Sequence, residues 1–297
     1  MTHRNMTGMW KFVAAAAMAA LFLIPIALGS DQPKVTEEFH KTYQLSAQGR
    51  IDVDNLNGAV HIGTWDRNEV QVDAIKTARS KERLDEARIE IESDANHLSI
   101  HTEYPGHDRT FWSNGNHDNP ANVEYTLTVP RQARLDKIKL VNGALDLRDL
   151  AGEVRASCVN GRIEARNLQG PADLKTINGK LVAEVAQMPA STMDFSSVNG
   201  SVHVTLPSDA RANIEASTVS GGISNEFGLA VSKHQFVGQS LRGELGGGGT
   251  RVKLSTVNGG IEIRHAGDGR PLSPAKSMSR DHDSDRDNDK DDDDDQI

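Results

Sequence analysis

Acidic residues concentrate at the C-terminal end of the chain, where binding of metal ions is the first chemistry to consider. Residues 281–295 read DHDSDRDNDKDDDDD, and alternating Asp residues could supply the hard oxygen ligands that calcium prefers. The segment lacks the turn Gly and the closing Glu of an EF-hand loop, and Arg286 and Lys290 interrupt it. The pattern therefore predicts a solvated acidic tail with weak, bulk binding of divalent cations, and no structured calcium site.

A second group of metal-binding residue types crowds a polar segment in the first half of the chain. Imidazole and carboxylate groups can bind zinc or copper, and the residues concerned are His97, His101, His107, Asp108, His117 and Asp118. Their spacings match no standard motif, so we predict no metal site.

Phe111 and Trp112 lie in the same segment. Exposed aromatic rings can anchor a partner, so this loop is the first candidate for partner contact; the alternative is that both rings pack onto a sheet edge.

Catalysis would require charged side chains clustered on one strand face, as in the lyases and hydrolases built on β-helices. Arg148, Asp149, Glu164 and Arg166 could supply such a cluster. Charges on the outer face of a strand are normally solvated, and the sequence has no recognisable nucleophile–base pair or phosphate-binding loop. We therefore predict no enzymatic activity, no catalytic residue and no cofactor.

Asn-Gly recurs along the chain, with an aliphatic residue before it and another shortly after it. From Asn142 the steps are 18, 18, 21 and 21 residues and then 38, which is about two units, and Val219-Ser220-Gly221 is a variant copy. A fixed period near 20 residues predicts a stack of one supersecondary unit. With the midway glycines, the predicted structural corners are Asn57, Gly58, Asn142, Gly143, Gly152, Asn160, Gly161, Gly170, Asn178, Gly179, Asn199, Gly200, Gly221, Asn258 and Gly259.

Apolar or small residues alternate on both sides of each Asn, which is the period of a strand with one buried face. The position three residues after the Asn holds Leu145, Ile163, Leu181, Val202, Ile223 and Ile261. Asn and Gly tolerate positive φ, which tight turns between strands need, so the chain is expected to turn there. Gly143, Gly152, Gly161, Gly170 and Gly179 are nine residues apart, so each unit is predicted to hold two short strands and two corners.

Two arrangements fit this pattern: a β-solenoid of stacked coils, or an antiparallel meander with hairpins at Asn-Gly. The identity of equivalent residues from unit to unit favours the solenoid, because stacked coils place like residues over like. The predicted fold class is therefore all-β, a β-solenoid or β-helix-like stack of two-strand repeats of 18–21 residues. One short helix is expected in the N-terminal half, over Ser80–Arg88.

The repeated VNG-x-(L/I) units resemble the bacterial putative-adhesin family of β-strand-repeat proteins, a domain of unknown function. The stretches GRIDVDNLNGAVHIGTWDRNEVQVDA and VEYTLTVP resemble it as well. The resemblance covers residues 40–265 and implies the repeat fold and an adhesin-like role. It implies no catalytic residues.

The N-terminal segment has the features of a secretory signal. Arg4 and Lys11 precede an apolar run over residues 12–29, and Ala27-Leu28-Gly29 offers a cleavage site. The alternative is an uncleaved membrane anchor.

The predicted organisation is a signal peptide over 1–29, an N-terminal β region over 30–134, the repeats over 135–265 and a disordered acidic tail over 266–297. Cys158, the single cysteine, is predicted to be buried filler.

These features predict an exported, periplasmic, cell-surface or secreted protein without enzymatic activity. It would present a lateral surface of the repeat stack to an envelope protein or polysaccharide. The alternatives are a membrane-anchored accessory or regulatory envelope module and a polysaccharide-acting β-helix enzyme. The net charge of −9 and the absence of a basic patch in the sequence argue against nucleic acid as a partner. No membrane span is expected once the signal is cleaved.

Overall fold

The structure is a computed structural model that describes residues 34–104, 121–233 and 238–278. Among the described residues, the regular secondary structure is β-strand apart from one short helix. Phe111 and Trp112 lie outside the described residues, as do the N-terminal segment predicted as a signal and the Asp-rich stretch. No helix within the described ranges is both long enough and apolar enough to cross a membrane.

The first part of the chain forms seven strands and the helix. In chain order they are β1 (Val35–Gln44), β2 (Arg50–Asn57), β3 (Val60–Trp65), β4 (Glu69–Ala78), α1 (Lys81–Glu86), β5 (Arg88–Ser93), β6 (His97–Glu103) and β7 (Asn122–Pro130). The helix predicted over Ser80–Arg88 is present. Ser80 is its N-cap, because the Ser80 hydroxyl accepts a hydrogen bond from the backbone N–H of Arg83. The side chain of Leu84 is buried on the inner face of the helix.

The repeat region forms short strands in pairs, each pair joined at an Asn-Gly or Ser-Gly corner. They are β8 (Arg134–Asn142), β9 (Leu145–Arg148), β10 (Val154–Asn160), β11 (Ile163–Leu168), β12 (Ala172–Asn178), β13 (Leu181–Val185), β14 (Met193–Asn199), β15 (Val202–Leu206), β16 (Ala212–Ser220) and β17 (Ile223–Asn225). The remaining strands are β18 (Val231–Lys233), β19 (Gln239–Leu245), β20 (Thr250–Asn258), β21 (Ile261–His265) and β22 (Ala275–Ser277).

Each pair is one coil of a β-solenoid, because equivalent strands of neighbouring coils pair in parallel. Asn142 pairs with Asn160 and Asn160 with Asn178, so like residues stack over like. The meander alternative is therefore excluded, and the solenoid prediction is confirmed. Residues 50–65, from the predicted N-terminal region, supply a coil to the same stack, since Asn57 of β2 pairs with Asn142.

Two sheets form the walls of the stack. Sheet 1 has the strand order β1-β4-β7-β3-β9-β11-β13-β15-β21-β17. Sheet 2 has the order β18-β19-β16-β20-β14-β12-β10-β8-β2-β6-β5, with β22 paired to β19. The predicted interior column is present in sheet 1, where successive strands align one buried aliphatic residue with the next: Leu145, Ile163, Leu181, Val202, Ile261 and Ile223.

The last two coils do not follow the order of the sequence. The coil of β20 and β21 lies between the coil of β14 and β15 and the coil of β16 and β17, although it comes after both in the chain. Residues 266–278, from the segment predicted as a tail, continue past this coil. Ala275–Ser277 pairs with β19, and the buried Ser273 hydroxyl donates to Ala210 O at 2.7 Å.

Candidate functional site

The Asn residues of the corners form a continuous ladder of side-chain hydrogen bonds along the stack. In each step Nδ2 of one Asn donates to Oδ1 of the Asn in the preceding coil, at 2.8–2.9 Å. The ladder runs through Asn57, Asn142, Asn160, Asn178, Asn199 and Asn258. Each amide keeps a second N–H and a second lone pair for other partners. The corner Asn residues therefore hold neighbouring coils in register and present a row of amides.

The corner Asn residues have negative φ, although Asn tolerates positive values. Among the described residues, the non-Gly residues with positive φ are Asp149 at 61° and Asn167 at 56°, both at the second corner. There Asn167 Nδ2 donates to Asp149 Oδ1 at 2.5 Å, which makes a short second ladder. At the Asn-Gly corner the Asn residue is required for hydrogen bonding between coils rather than for a left-handed backbone.

The corner glycines are required by close approach of the backbone. A Cβ on Gly161 would lie 1.8 Å from the carbonyl oxygen of Gly143, and one on Gly179 would lie 2.1 Å from that of Gly161. At the second corner, a Cβ on Gly170 would lie 2.2 Å from the oxygen of Gly152. Each coil therefore rests on the carbonyl of the coil beneath it, at a distance that only glycine permits.

A third row, inside the stack, satisfies these carbonyl oxygens. Two residues before each corner, a side chain donates to the carbonyl of a neighbouring corner Gly: Cys158 to Gly143 O, Thr176 to Gly161 O, Ser197 to Gly179 O, Thr256 to Gly200 O and Thr218 to Gly259 O. In β8 this position is Leu140, whose side chain cannot donate a hydrogen bond to Gly58 O. Asn55, in the same coil as Gly58, donates to that oxygen instead, at 3.2 Å. From the sequence, Cys158 was predicted to be buried filler. The Ser, Thr and Cys side chains at one fixed offset were the signal for a donor row.

Cys158 belongs to that donor row and is not a reactive thiol. Its side chain is buried, and burial raises the pKa of the thiol to about 11. A thiol with so high a pKa is almost entirely protonated at neutral pH, and the thiolate is the reactive form.

An exposed row of aliphatic side chains runs beside the asparagine ladder on the outer face of sheet 2. We define the aliphatic row as the residue that precedes each corner Asn or Ser: Leu56, Val141, Val159, Ile177, Val198, Val257 and Val219. Ile177, Val198, Val257 and Val219 have 41–52% of their surface exposed, and the other three are partly exposed. Strands lie about 4.8 Å apart, so seven coils extend the row over roughly 29 Å.

The charged cluster weighed for catalysis is a set of surface ion pairs. Glu164 lies between Arg162 and Arg166 and pairs with both guanidinium groups. Asp149 lies at the second corner, where its side chain accepts from Asn167. Both carboxylates of this cluster therefore contact neighbouring side chains.

A different trio on the outer face of sheet 1 was missed by sequence analysis. Ser201 Oγ lies 2.9 Å from His203 Nε2, and His203 Nδ1 lies 2.7 Å from Glu262 Oε2. Arg264 donates to the same carboxylate, which holds the pKa of Glu262 below its usual range. The trio borders a shallow recess of about 310 Å³ beside Gly222. Since β21 comes from a distant part of the chain, no motif in the sequence brings these residues together.

The trio has the connectivity of an acyl-transfer triad, which also needs free N–H groups to bind an oxyanion. The backbone N–H of Val202 donates to Gly260 O at 3.0 Å, and that of Ile261 donates to Gly222 O at 2.9 Å. Because these flanking donors are engaged in the sheet, we interpret the trio as a polar surface contact.

Two of the histidines considered as metal ligands, His97 and His101, lie on β6. His97 Nε2 lies 3.1 Å from Asp52 Oδ2, while His107 and His117 lie outside the described residues. Within the described ranges, no three His, Cys, Asp or Glu side chains are placed to hold a metal ion.

Residues 151–264 match the family model described as Toastrack DUF4097. The resemblance to a β-repeat domain of unknown function is therefore confirmed over these residues. The Toastrack segment contains the coils from β10 to β21, including five residues of the aliphatic row. The coils of β2–β3 and β8–β9 extend the same stack beyond the matched residues. No curated protein matches the chain.

Solved structures with similar chains include two described as adhesion proteins. A putative cell adhesion protein from Clostridium sporogenes is 14% identical, with 78% of this chain and 100% of that chain covered and a TM-score of 0.48. A putative adhesin from Bacteroides fragilis is 12% identical, with coverage of 77% and 97% and a TM-score of 0.35. A putative lipid binding protein from Parabacteroides distasonis is 10% identical, with coverage of 76% and 96% and a TM-score of 0.31.

Proposed function

We propose that this protein is an exported, adhesin-like β-repeat protein without enzymatic activity that binds an envelope or extracellular partner along the aliphatic row. The observation that supports the proposal most strongly is the exposure of Ile177, Val198, Val257 and Val219 in one line. Single exposed aliphatic residues are common on protein surfaces, but a contiguous exposed row is typical of an interaction surface.

The scaffold beneath the row favours binding without rearrangement. Each residue of the row directly precedes a corner residue, and the ladder fixes most of those corners to their neighbours. A partner would therefore meet a surface that is already ordered, so association would cost little conformational entropy. Repeat stacks commonly use such long lateral surfaces for recognition.

The chemistry of the surface fits an elongated partner with apolar and polar groups along its length. The ladder amides offer hydrogen bonds on one side of the row. On the other side, the next outward-facing position holds charged or hydroxyl side chains: Asp54, Lys139, Ser157, Lys175, Ser196, Ser217 and Ser255. An extended envelope protein segment or a polysaccharide has this mixture of groups, and the sequence predicted these two partner classes.

Placing charge on the row should abolish partner binding. We expect the triple variant Ile177→Glu, Val198→Glu, Val257→Glu to bind purified envelope fractions at least tenfold more weakly than the wild type, because three carboxylates would have to be desolvated at the contact. The measurement is co-sedimentation of purified protein with membrane vesicles and with cell-wall polysaccharide, assayed separately.

Val182→Glu is the matched control, because Val182 is a partly exposed aliphatic residue on the outer face of sheet 1. It should bind like the wild type. Unchanged circular dichroism spectra would show that all variants are folded. Equal binding by the triple variant and the wild type, or no binding by either, would contradict the proposal.

Export makes a separate prediction at the N-terminus. The mature protein should begin at Ser30, because Ala27-Leu28-Gly29 follows the apolar run as a signal cleavage site. N-terminal sequencing of protein purified from its native host tests this directly. An intact N-terminus in the membrane fraction would instead favour the membrane-anchored accessory module.

A further inference from the structure

The coil of β20 and β21 fills a gap between two coils that precede it in the sequence. The neighbouring coils, β14–β15 and β16–β17, are linked to each other by residues 207–211 at the second corner. No covalent link therefore closes the gap on the Asn-Gly side. The gap is completed only when the last repeat of the chain enters it.

The inserted coil makes the standard contacts of the stack on both sides. In sheet 2, β20 pairs in parallel with β14 and with β16, and in sheet 1, β21 pairs in parallel with β15 and with β17. Asn258 donates to Asn199, Thr256 donates to Gly200 O, and Gly259 O accepts from Thr218. These contacts depend on the inserted residues and not on which chain supplies them.

A glycine hinge joins this coil to the rest of the chain. Gly246, Gly247, Gly248 and Gly249 have φ values of 60°, 79°, 82° and 155°, in the region that favours glycine. Leu245 and Thr250, at the two ends of the hinge, pair with Ala212 from opposite sides. The hinge therefore crosses over the start of β16, and a Cβ on Gly249 would lie 2.5 Å from Arg211 O.

The residues after the inserted coil also contact the part of the chain that precedes the hinge. The last described strand, β22, pairs with β19 of the body, and Ser273 N–H donates to Ser208 O at 2.8 Å. Each of these contacts joins a residue that follows the hinge to a residue that precedes it, as the contacts of β20 and β21 also do. If the chain changed direction at Gly246–Gly249 and residues 250–278 left together, the same partners would be open to residues 250–278 of a second copy.

We propose that the gap between β14–β15 and β16–β17 is a docking slot for residues 250–278 of a second copy, which gives a reciprocally swapped dimer. Every contact of the inserted coil is preserved in that dimer, and only the path of the hinge changes. Exchange of an identical element is a low-cost route to dimers, and the hinge decides between monomer and dimer. A hinge too short to cross β16 selects the dimer.

The test is deletion of Gly247 and Gly248 from the full chain. Leu245 and Thr250 flank Ala212, so they are about 10 Å apart across two strand spacings. Three Cα–Cα steps reach about 11 Å at most, which leaves no slack to pass over the backbone at Arg211. In light scattering, the deletion variant is expected to have twice the 32.2 kDa mass of one chain. A variant with two further glycines inserted in the hinge should have the same number of chains per particle as the wild type.

A cross-link distinguishes a swapped dimer from dimers of any other kind. Val198→Cys and Val257→Cys place two exposed thiols on neighbouring strands, and the buried Cys158 does not compete for the reagent. A short bismaleimide should join the two cysteines within one chain in a monomer. In a swapped dimer the same reagent should join two different chains, which a denaturing gel shows as a band of doubled mass.

Dimers of the deletion variant with cross-links between chains would support the proposal. Deletion variants that are folded monomers, or dimers with cross-links only within chains, would overturn it. If the deletion variant does not fold, the chain with the full-length hinge and the same cysteine pair is used instead. It is unfolded, refolded at high protein concentration and treated with the same bismaleimide. A doubled-mass band there supports the slot, and its complete absence overturns it.

Discussion

Replacing Gly161 by Ala should destabilise the protein by about 3 kcal/mol, the upper part of the range for overpacking a close-packed site. The added Cβ would lie 1.8 Å from Gly143 O, and that oxygen belongs to backbone, which cannot rotate away as a side chain can. Relief would require two coils to separate, with loss of the Asn160–Asn142 and Cys158–Gly143 hydrogen bonds. Urea denaturation followed by circular dichroism measures the loss.

Gly222→Ala is the matched control, because a Cβ on Gly222 would meet nothing within 4 Å. Its free energy of unfolding should stay within about 0.5 kcal/mol of the wild type, as for most surface substitutions. If Gly161→Ala were as stable as Gly222→Ala, the close approach of the corners would not be a constraint on the fold.

Removing the hydroxyl of Thr176 should cost about 2 kcal/mol. Thr176→Val keeps the shape of the side chain but leaves Gly161 O without the donor that lies 3.1 Å away. An unsatisfied buried polar group costs about 1–3 kcal/mol, and Thr176 is buried. The free energy of unfolding from urea titrations gives the value.

Thr176→Ser separates the hydroxyl from the methyl group at this position. Ser197 makes the equivalent bond to Gly179 O at 3.1 Å, so the Ser variant should retain the hydrogen bond and most of the stability. Equal losses for Thr176→Val and Thr176→Ser would show that packing of the methyl group, rather than the donor row, stabilises this position.

The period and the strand alternation were readable from the sequence because each coil repeats the same packing. Ile163 and Leu181 occupy equivalent positions in their repeats, and the fold places them one above the other. The purpose of the Asn-Gly pair was not readable in the same way. Glycine serves equally at a positive φ and at a close approach, and only the folded structure shows that Gly161 lies against Gly143 O.

The order of the last two coils was beyond the reach of sequence pattern. Val219-Ser220-Gly221 and Val257-Asn258-Gly259 both fit the repeat, so the pattern places them in chain order. The structure reverses them because β19 runs antiparallel to β16 and the Gly246–Gly249 hinge then returns the chain across β16. Pairings between distant strands decide this, and they leave no local signature.

The aliphatic row was present in the repeat motif from the start, as the residue before each Asn. Alternation predicts that Ile177 and Val198 point outward, yet their aliphatic character made them look like part of the core pattern. Exposure of 45% and 41% identifies them as surface residues. The first candidate for partner contact was the loop with Phe111 and Trp112. Both residues lie outside the described residues, so partner contact through them stays a prediction.

The most direct test of the proposed binding surface is site-specific photocross-linking in the native host. A photoreactive amino acid at Val198 or Val257, on the aliphatic row, should form a discrete adduct with the envelope or extracellular partner. The same residue at Val182, on the outer face of sheet 1, should form none. Adducts at Val182 alone, or at none of the three positions, would contradict the account of the aliphatic row as the surface through which this protein acts.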